Sequence, residues 1–442
     1  MRAAAASMQQ LLAGTSYVSY SYGYPHKTAY RALSPRRLQE VWNAEPRDAL
    51  FLYVHIPFCS VRCGFCNLLA TTGAEASLVR RYIDTLERQA VATREAVGRR
   101  TFVRAALGGG TPTFLQPAEL RRVLDVMRNT MGADLAAIPT GVEVSPETTD
   151  GERLAVLQEF GVDRVSIGVQ SFDQREAGAM GRPQRDADVH RALRLIRDHH
   201  FPTLNIDLIY GGADQTTASW LASIRTAIEY RPEELYLYPL YVRPLTGLGR
   251  RGQSWDEQRI SLYRAGRDFL LEQGYQQVSM RMFRAPHAPT CTAPVYCCQQ
   301  DGMVGLGAGA RSYTRELHYS TRYAVGRAGV SAVIEDYVSQ DAAALATVDY
   351  GFEMDDGERR RRFVIQSLLQ AEGLSRTEYR GAFGSDALNE MPALQELQQH
   401  ALATVTQDRV CLTPAGLERS DAIGPWLYSA RVGRLMEEFA WT

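Results

Sequence analysis

The sequence predicts an α/β protein built on a partial (β/α)6 TIM-like barrel, with an irregular extension and a small winged-helix-like C-terminal domain. Three observations support this. Six apolar segments of strand length alternate with helical patterns between residues 50 and 239, and glycine-rich or polar clusters directly follow several of the strands. The pattern changes again after about residue 358. Such alternation is typical of parallel βα units, and six units close only part of an eightfold barrel.

Each barrel element can be assigned from its pattern. The predicted strands are 50–56, 102–107, 141–144, 163–167, 203–209 and 234–239, and the predicted helices are 78–97, 117–131, 148–160, 186–200 and 217–230. Near the C-terminus, helical patterns at 363–369, 377–383 and 393–402 precede a hairpin-like segment at 405–412. Chemistry in barrels of this kind takes place beyond the C-terminal strand ends, where the polar clusters occur.

Four domains follow from these patterns. Residues 1–49 form a tyrosine-rich leader that is too aromatic for a disordered tail, so we expect it to pack on the barrel. Residues 50–255 form the barrel and residues 256–350 an extension that completes the active site. Residues 351–442 form the winged-helix-like domain.

Composition excludes several functional classes. The chain has 442 residues, a formal net charge of -1 and 45% hydrophobic residues, so it lacks the basic excess of a nucleic-acid-binding protein. No apolar run reaches the 18 or more residues of a membrane span, and the first ten residues lack the apolar block of a secretory signal. The sequence therefore predicts a cytoplasmic protein with neither nucleic acid nor membrane as a partner.

Cysteine spacing gives the strongest chemical signal. Cys59, Cys63 and Cys66 follow the first barrel strand in a C-x3-C-x2-C pattern. Three thiolates on one loop suit three irons of a [4Fe–4S] cluster and leave the fourth iron open to a ligand. The alternatives are a zinc knuckle or unbonded buried thiols, but a structural zinc site normally has four ligands and no fourth is present here.

Together with the preceding His55-Ile56-Pro57-Phe58, the cysteine motif resembles the radical S-adenosylmethionine (SAM) superfamily. It is most similar to the oxygen-independent coproporphyrinogen III oxidase family, which also contains haem chaperones and class C radical SAM methyltransferases. The resemblance implies a [4Fe–4S] cluster held by the three cysteines and reductive cleavage of SAM to a 5′-deoxyadenosyl radical. It also implies a low-potential electron donor, flavodoxin or ferredoxin, and a small-molecule substrate.

The resemblance also assigns residues to the SAM on the cluster. These residues are Tyr53, Gly109, Gly110, Thr111, Glu143 and Arg311. Taken alone, the glycine-rich segment is equally typical of a tight turn between strand and helix, and Glu143 of a helix-capping acid.

A second SAM is implied by five further positions that match the coproporphyrinogen enzyme: Phe65, Gln170, Arg182, Asp207 and Tyr241. In this assignment Asp207 accepts hydrogen bonds from ribose hydroxyls and Arg182 pairs with a carboxylate. Any one of these residues could instead be an ordinary residue of the barrel. Because they match the coproporphyrinogen enzyme in one continuous alignment, that explanation does not suit all of them together.

Two departures from the oxidase pattern guide the choice of reaction. That enzyme has a further cysteine two residues after the third ligand, where this chain has Leu68, and the leader at 22–27 also differs. With the second SAM site, these departures favour a class C methyltransferase that adds a methyl-derived carbon to an sp2 carbon, by methylation or cyclopropanation. Oxidative decarboxylation of a porphyrin-like substrate and haem chaperoning stay open as alternatives.

A second group of cysteines, Cys291, Cys297 and Cys298, invites comparison with an auxiliary cluster. Cys297 and Cys298 are adjacent, and adjacent side chains on a strand point in opposite directions, which does not suit one cluster. We therefore predict that these cysteines bind no cluster. A single thiol near the substrate and simple packing are the other possibilities.

Overall fold

The computed structural model describes residues 7–21, 23–46, 48–243, 245–248, 256–290 and 302–441. Its strands are β1 (Arg31–Arg37), β2 (Ala49–Ile56), β3 (Phe58–Cys59), β4 (Thr71–Thr72), β5 (Thr101–Gly109), β6 (Thr140–Val144), β7 (Arg164–Gln170), β8 (Thr203–Tyr210), β9 (Glu234–Pro239), β10 (Gln276–Gln277), β11 (Met282–Arg284), β12 (Gly302–Leu306), β13 (Arg311–Tyr313), β14 (Leu317–Ser320), β15 (Thr347–Glu353), β16 (Leu374–Ser375), β17 (Ala403–Val405) and β18 (Arg409–Leu412).

The described helices surround these strands. They are α1 (Met8–Ala13), α2 (Leu38–Asn43), α3 (Ala76–Val97), α4 (Pro117–Asp125), α5 (Gly151–Glu159), α6 (Gln174–Ala179), α7 (Asp186–Asp198), α8 (Thr217–Glu229), α9 (Asp256–Glu272), α10 (Arg327–Ser339), α11 (Ala342–Leu345), α12 (Asp356–Leu368), α13 (Arg376–Phe383), α14 (Ala387–Glu390), α15 (Ala393–Gln399), α16 (Pro414–Leu417), α17 (Ser420–Trp426) and α18 (Ala430–Glu437). In the described part of the chain, no helix is both long and apolar enough to cross a membrane.

One large sheet dominates the molecule. Its strand order is β1-β15-β14-β13-β12-β2-β5-β6-β7-β8-β9-β11-β10. The seven central strands, from β12 to β9, are parallel, and the flanking strands are antiparallel. All six predicted barrel strands are present in the predicted order, so the α/β fold class is confirmed. The parallel arrangement brings the C-terminal ends of all these strands to one edge, which positions the site.

The predicted helices differ from the structure mainly at their ends. The segment predicted as one helix over 117–131 changes to a π-helical turn at Val126–Thr130. The helix predicted from 148 begins only at Gly151, because the Asp150 carboxylate accepts a hydrogen bond from the Arg153 amide at 2.9 Å and caps it there. Helix α6 was not predicted; Asp173 caps it through the Arg175 and Glu176 amides.

The leader is part of the folded body. Strand β1 pairs antiparallel with β15, which lies more than three hundred residues later in the chain. Trp42 is fully buried in the barrel core, whereas Tyr24 and Tyr30 belong to the core of the C-terminal region. These three aromatic residues therefore form part of two hydrophobic cores. Their burial stabilises the packing of the leader on the body of the protein.

The C-terminal region is mainly helical and has its own core. A three-stranded antiparallel sheet, in the order β16-β18-β17, packs with helices α12 to α18. Fully buried residues such as Phe363, Leu368 and Tyr379 fill the space between them. The leader and β15 contribute to the same core, and the boundaries of the four domains remain a prediction.

Candidate active site

A cavity of about 1630 Å³ lies among the strand ends and extends into the barrel. All fourteen predicted site residues line it: Tyr53, Cys59, Cys63, Phe65, Cys66, Gly109, Gly110, Thr111, Glu143, Gln170, Arg182, Asp207, Tyr241 and Arg311. Residues that are scattered over most of the sequence are thus brought to one place by the parallel sheet. Their individual roles remain predictions.

The loop with Cys59, Cys63 and Cys66 begins where β2 ends. Short strand β3 pairs in parallel with β4 and closes the base of the loop, with Phe58 opposite Thr71. In the middle of the loop, the Gly64 amide donates to the Gly181 carbonyl at 3.1 Å, and the Gly64 carbonyl accepts from the Leu248 amide at 2.8 Å. The loop is therefore fixed to two other segments by its backbone.

The glycine-rich segment after β5 packs directly against the cysteine loop. The Gly110 amide donates to the Ile56 carbonyl at 2.7 Å, and the Thr111 amide donates to the Phe58 carbonyl at 2.8 Å. A Cβ atom at Gly110 would lie 2.7 Å from the Phe58 oxygen and 3.0 Å from the Cys59 sulfur. Only glycine fits this position, because the two backbones approach so closely.

The cysteines fit a cluster better than a single ion. Burial raises the pKa of the Cys59 thiol to about 12, although the Thr111 hydroxyl, 3.5 Å from the Cys59 sulfur, opposes the rise. Burial also raises the pKa of Cys66, so both thiols need a metal to be thiolates near neutral pH. Among the described residues, no three His, Cys, Asp or Glu side chains are arranged around one metal ion. A cluster takes each thiolate on a different iron, which suits three sulfurs spread along one loop.

Glu143 lies near the end of β6, where its side chain is exposed to the cavity. The carboxylate accepts a hydrogen bond from the Gly109 amide at 3.0 Å. Burial raises the pKa of Glu143 to about 7. The hydrogen bond from Gly109 lowers this pKa, and the nearby carboxylate of Asp207 raises it further. Gly109 and Glu143, both predicted to contact the SAM on the cluster, therefore contact each other directly.

Arg182 is buried against the cysteine loop. Its Nη1 donates to the Cys63 sulfur at 3.1 Å, its Nε donates to Gln184 at 3.1 Å, and Glu147 lies 3.8 Å from Nη2. Burial alone would lower the pKa of Arg182, but Cys63 and Glu147 outweigh burial and raise it. Its Nη2 has no hydrogen-bond partner among the described residues, which leaves a charged donor for a ligand carboxylate.

Gln170 and Asp207 lie on the neighbouring strands β7 and β8. Gln170 has a φ of 69°, a conformation that is uncommon outside glycine, and the pairing of β7 with β8 shifts register there. Such strain at a strand end is typical of functional positions. Asp207 accepts a hydrogen bond from the Asn205 side chain at 2.7 Å, and burial raises its pKa to about 6.

The other predicted SAM residues have mixed surroundings. Phe65 packs against a small apolar cluster that includes Met180 and Leu240. The Tyr53 hydroxyl lies 3.3 Å from the Nδ1 atom of His55. The Arg311 guanidinium lies 5.5 Å from the ring centroid of Tyr313.

Lys27 and Tyr323 line the cavity but were not predicted from the sequence, and neither was Asp421, the partner of the predicted residue Tyr241. The Tyr241 hydroxyl donates to Asp421, a residue of helix α17 that also pairs with Arg281. The Tyr323 hydroxyl donates to the Asn67 carbonyl at 2.7 Å, next to the last cysteine, and Lys27 lies 3.7 Å from the Tyr323 ring centroid. No sequence signal marks these residues, because each acts through a partner far along the chain. Cys291, Cys297 and Cys298 lie outside the described residues, and the prediction that they bind no cluster stays open.

Comparison with known proteins agrees with this geometry. The sequence model of the Radical SAM superfamily matches residues 53–227, which contain the cysteine loop and strands β5 to β8. These residues therefore form a radical SAM domain, and the cofactors are a [4Fe–4S] cluster and SAM, as predicted from the cysteine motif. Radical SAM chemistry requires a reductant and a substrate. This agrees with the prediction of an electron donor and a small-molecule substrate as partners, without identifying either one.

Two relatives extend the match beyond this domain. Oxygen-independent coproporphyrinogen III oxidase of Pseudomonas aeruginosa is 28% identical over 364 residues, 76% of this chain and 75% of that protein. Heme chaperone HemW of Bacillus subtilis is 24% identical over 393 residues, 87% of this chain and 99% of that protein. The solved structure of coproporphyrinogen III oxidase (HemN) from Escherichia coli shares the fold, with a TM-score of 0.77, 22% identity and coverage of 93% and 96%.

These relatives correct the predicted reaction. Class C methyl transfer from a second SAM is wrong as the main prediction, because the proteins similar over most of the chain are oxidases and haem chaperones. That prediction rested on the second SAM site and on two local departures, Leu68 and the leader at 22–27, and the similarity of the relatives over most of the chain outweighs them. The alternatives, oxidative decarboxylation and haem chaperoning, agree better with the comparisons.

Proposed function

We propose that this protein is a radical SAM enzyme that removes carboxylate groups oxidatively from a porphyrinogen-like tetrapyrrole. The observation that carries the proposal is the size and charge of the cavity. Its volume of about 1630 Å³ exceeds the roughly 300–1,000 Å³ of ordinary small-molecule sites. It is therefore large enough for a cluster, SAM and a substrate much bigger than a single ring.

The charge of the lining supports a substrate with several carboxylates. Nine basic side chains line the cavity: Lys27, Arg62, Arg104, Arg164, Arg182, Arg243, Arg284, Arg311 and Arg322. Five acidic side chains line it as well, namely Glu143, Asp163, Asp207, Glu234 and Glu372, so the lining carries an excess of formal positive charge. A porphyrinogen carries its carboxylates on flexible side chains around a large ring, and arginines suit such groups because they bind carboxylates with paired hydrogen bonds.

The residues around the cysteine loop would orient the cofactors. Cys59, Cys63 and Cys66 would hold the cluster, and the Glu143 carboxylate, oriented by the Gly109 amide, would accept a hydrogen bond from the amino group of SAM. A reduced cluster with SAM supplies the homolytic removal of a hydrogen atom from the substrate. Loss of carbon dioxide and one electron from a propionate so activated gives a vinyl group, and the electron passes to a one-electron acceptor. Residues of the leader and the C-terminal region enclose the cavity and limit access of water to the radical.

The test is an anaerobic assay of the reconstituted protein with SAM, a chemical reductant, a one-electron acceptor and coproporphyrinogen III. We expect 5′-deoxyadenosine and a product lighter by the mass of formic acid for each carboxylate removed, seen by liquid chromatography and mass spectrometry. The variant with all three cysteines changed to Ala is the control and should give neither. Formation of 5′-deoxyadenosine without any change in the tetrapyrrole would contradict the proposed substrate.

Haem chaperoning is the second candidate, and His26 favours it. Its imidazole lines the cavity, and its Nδ1 lies 2.8 Å from the Thr28 hydroxyl. Burial first, and then Lys27, lowers the pKa of His26 well below its usual value, so the ring is neutral and suited to bind haem iron. Anaerobic titration with haem should then give a saturable Soret shift that His26→Ala abolishes. Saturable haem binding without tetrapyrrole turnover would favour the chaperone over the oxidase.

A further inference from the structure

A buried ion pair joins the C-terminal region to the wall of the cavity. Asp421, in α17, is 1% exposed, and its carboxylate accepts hydrogen bonds from both Arg281 and Tyr241. Arg281 precedes β11 and is 3% exposed. Tyr241 follows β9 and lines the cavity. The carboxylate of Asp421, in the C-terminal region, thus holds Tyr241, a residue of the cavity wall.

The leader surrounds the same ion pair. The Ser19 amide donates to the Asp421 carbonyl at 3.0 Å. The Tyr20 ring lies 3.8 Å from the Arg281 guanidinium, and it also packs against Tyr238 of β9 at 6.3 Å between ring centroids. The hydroxyl of Tyr241 is therefore oriented by a partner that is itself fixed on several sides.

Stability alone does not explain this arrangement. A buried ion pair roughly cancels its own desolvation cost, and a well-packed apolar pair is often equally stable. Burial opposes the charge of Arg281, yet Asp421 and Tyr241 raise its pKa, so the guanidinium is charged. Burial and Asp421 raise the pKa of Tyr241, which keeps its hydroxyl protonated as a donor. An apolar pair would leave the Tyr241 hydroxyl without this acceptor.

We propose that Asp421 is a positioning residue that fixes Tyr241 on the cavity wall, and that the C-terminal region thereby controls ligand binding at this wall of the cavity. The inference rests on the proposed function only in taking SAM as a ligand of this cavity. Arg281 holds the Asp421 carboxylate in place, and Asp421 holds Tyr241. The side of the cavity formed by β8 and β9 is complete only when α17 is docked.

The test is a double-mutant cycle read by SAM binding. Asp421→Asn, Tyr241→Phe and the double variant are reconstituted anaerobically to wild-type iron content, and SAM affinity is measured by equilibrium titration. We expect each single variant to weaken at least one SAM binding event by about tenfold, the size of one lost hydrogen bond. The double variant should be no weaker than either single variant, because both changes act on the same contact: Asp421→Asn removes the charge of the acceptor and Tyr241→Phe removes the donor.

Glu418→Gln is the matched control. Glu418 is also buried at the junction with the barrel, where it pairs with Arg264 at 2.6 Å and Arg267 at 3.3 Å, but it does not line the cavity. We expect this variant to lower the melting temperature and to leave SAM affinity unchanged. Wild-type SAM affinity in Asp421→Asn and Tyr241→Phe, or additive losses in the double variant, would overturn the proposal.

Failure to fold does not obscure the result. Tyr241→Phe removes only one oxygen, so it reports on the contact even where Asp421→Asn does not fold, and unchanged SAM affinity in that variant alone would overturn the proposal. The readout is also independent of the tetrapyrrole. A protein that binds SAM but leaves coproporphyrinogen III intact refutes the proposed substrate and still decides the role of Asp421.

Discussion

The two sides of the cavity are built in different ways. The cysteine side consists of the loop 57–72 after β2 and the segment 108–111 after β5, and backbone hydrogen bonds such as Gly110 to Ile56 at 2.7 Å hold it together. The tyrosine side consists of Asp207 on β8 and of Tyr236, Tyr238 and Tyr241 on and after β9. It depends on the side chains of Arg281 and Asp421.

This difference decides how each side responds to mutation. Backbone contacts are largely independent of side-chain identity, except where a glycine is required, so the fold of the cysteine side should tolerate most changes outside its glycines and the three cysteines. The tyrosine side depends on one buried charge pair, whose disruption leaves an uncompensated charge. Substitutions should therefore separate the two sides clearly.

The largest effect is expected on the cysteine side. Changing Cys59, Cys63 and Cys66 together to Ala should remove about four irons per chain and all SAM cleavage, because these three thiolates are the predicted ligands of the cluster. Iron analysis of the anaerobically reconstituted protein and assay of 5′-deoxyadenosine measure both. Cys411→Ala, on β18 away from the cavity, is the control and should keep the full iron content. Iron that stays bound to the triple variant would refute the assignment of the ligands.

The next effect concerns the ion pair of the tyrosine side. Arg281→Met should lower the free energy of unfolding of the iron-free protein by about 3–5 kcal/mol, because Asp421 is left buried and charged without its main partner. Arg281→Met with Asp421→Leu should recover most of that loss. Denaturant unfolding followed by circular dichroism measures both variants. A loss below about 1 kcal/mol in the single variant would show that water reaches Asp421 and that the pair is not needed.

A smaller effect tests the backbone packing of the cysteine side. Gly110→Ala should cost about 1–3 kcal/mol and lower iron content, because its Cβ would lie 2.7 Å from the Phe58 oxygen and 3.0 Å from the Cys59 sulfur. Gly151→Ala is the matched control: its Cβ meets nothing within 4 Å, and it lies in α5. That variant should be neutral or slightly stabilising. Equal behaviour of the two variants would refute the close packing at Gly110.

The smallest effect is a pH dependence on the tyrosine side. Burial raises the pKa of Asp207 to about 6 in the folded protein, so folding favours its protonated form. The stability that this provides is complete below the unfolded pKa of about 3.9 and is lost as pH rises through 6. Asp207→Asn should therefore be more stable than wild type by on the order of 1 kcal/mol at pH 7.5, and equally stable near pH 4. A difference that does not change between these pH values would show that Asp207 is solvated.

The sequence was most informative where function depends on local pattern. The six barrel strands, the cysteine loop and the glycine segment are each recognisable within about ten residues, and all fourteen predicted site residues line one cavity. Parallel strands bring such motifs together automatically, because their C-terminal ends share one edge.

Contacts between distant segments could not be predicted in this way. Tyr241 was predicted as a ligand-contacting residue, but its partner Asp421 lies 180 residues later, in a segment without a motif. The short helix α6 was missed because only an Asp173 cap and one turn of sequence define it. The reaction was also predicted wrongly, because two local departures were given more weight than the similarity of the whole chain.

The joining of the leader to the end of the chain has a consequence for synthesis on the ribosome. The Ser429 amide donates to the Tyr24 hydroxyl, although the two residues are 405 positions apart. At about 5–20 residues per second, some 20–80 s separate their translation. The cysteine loop is made early in that interval, whereas Asp421 emerges about 350 residues after Cys66. A nascent chain that has not reached Asp421 would hold the cysteine loop but lack the acceptor of Tyr241, so the tyrosine side would be complete only after α17 has emerged and docked.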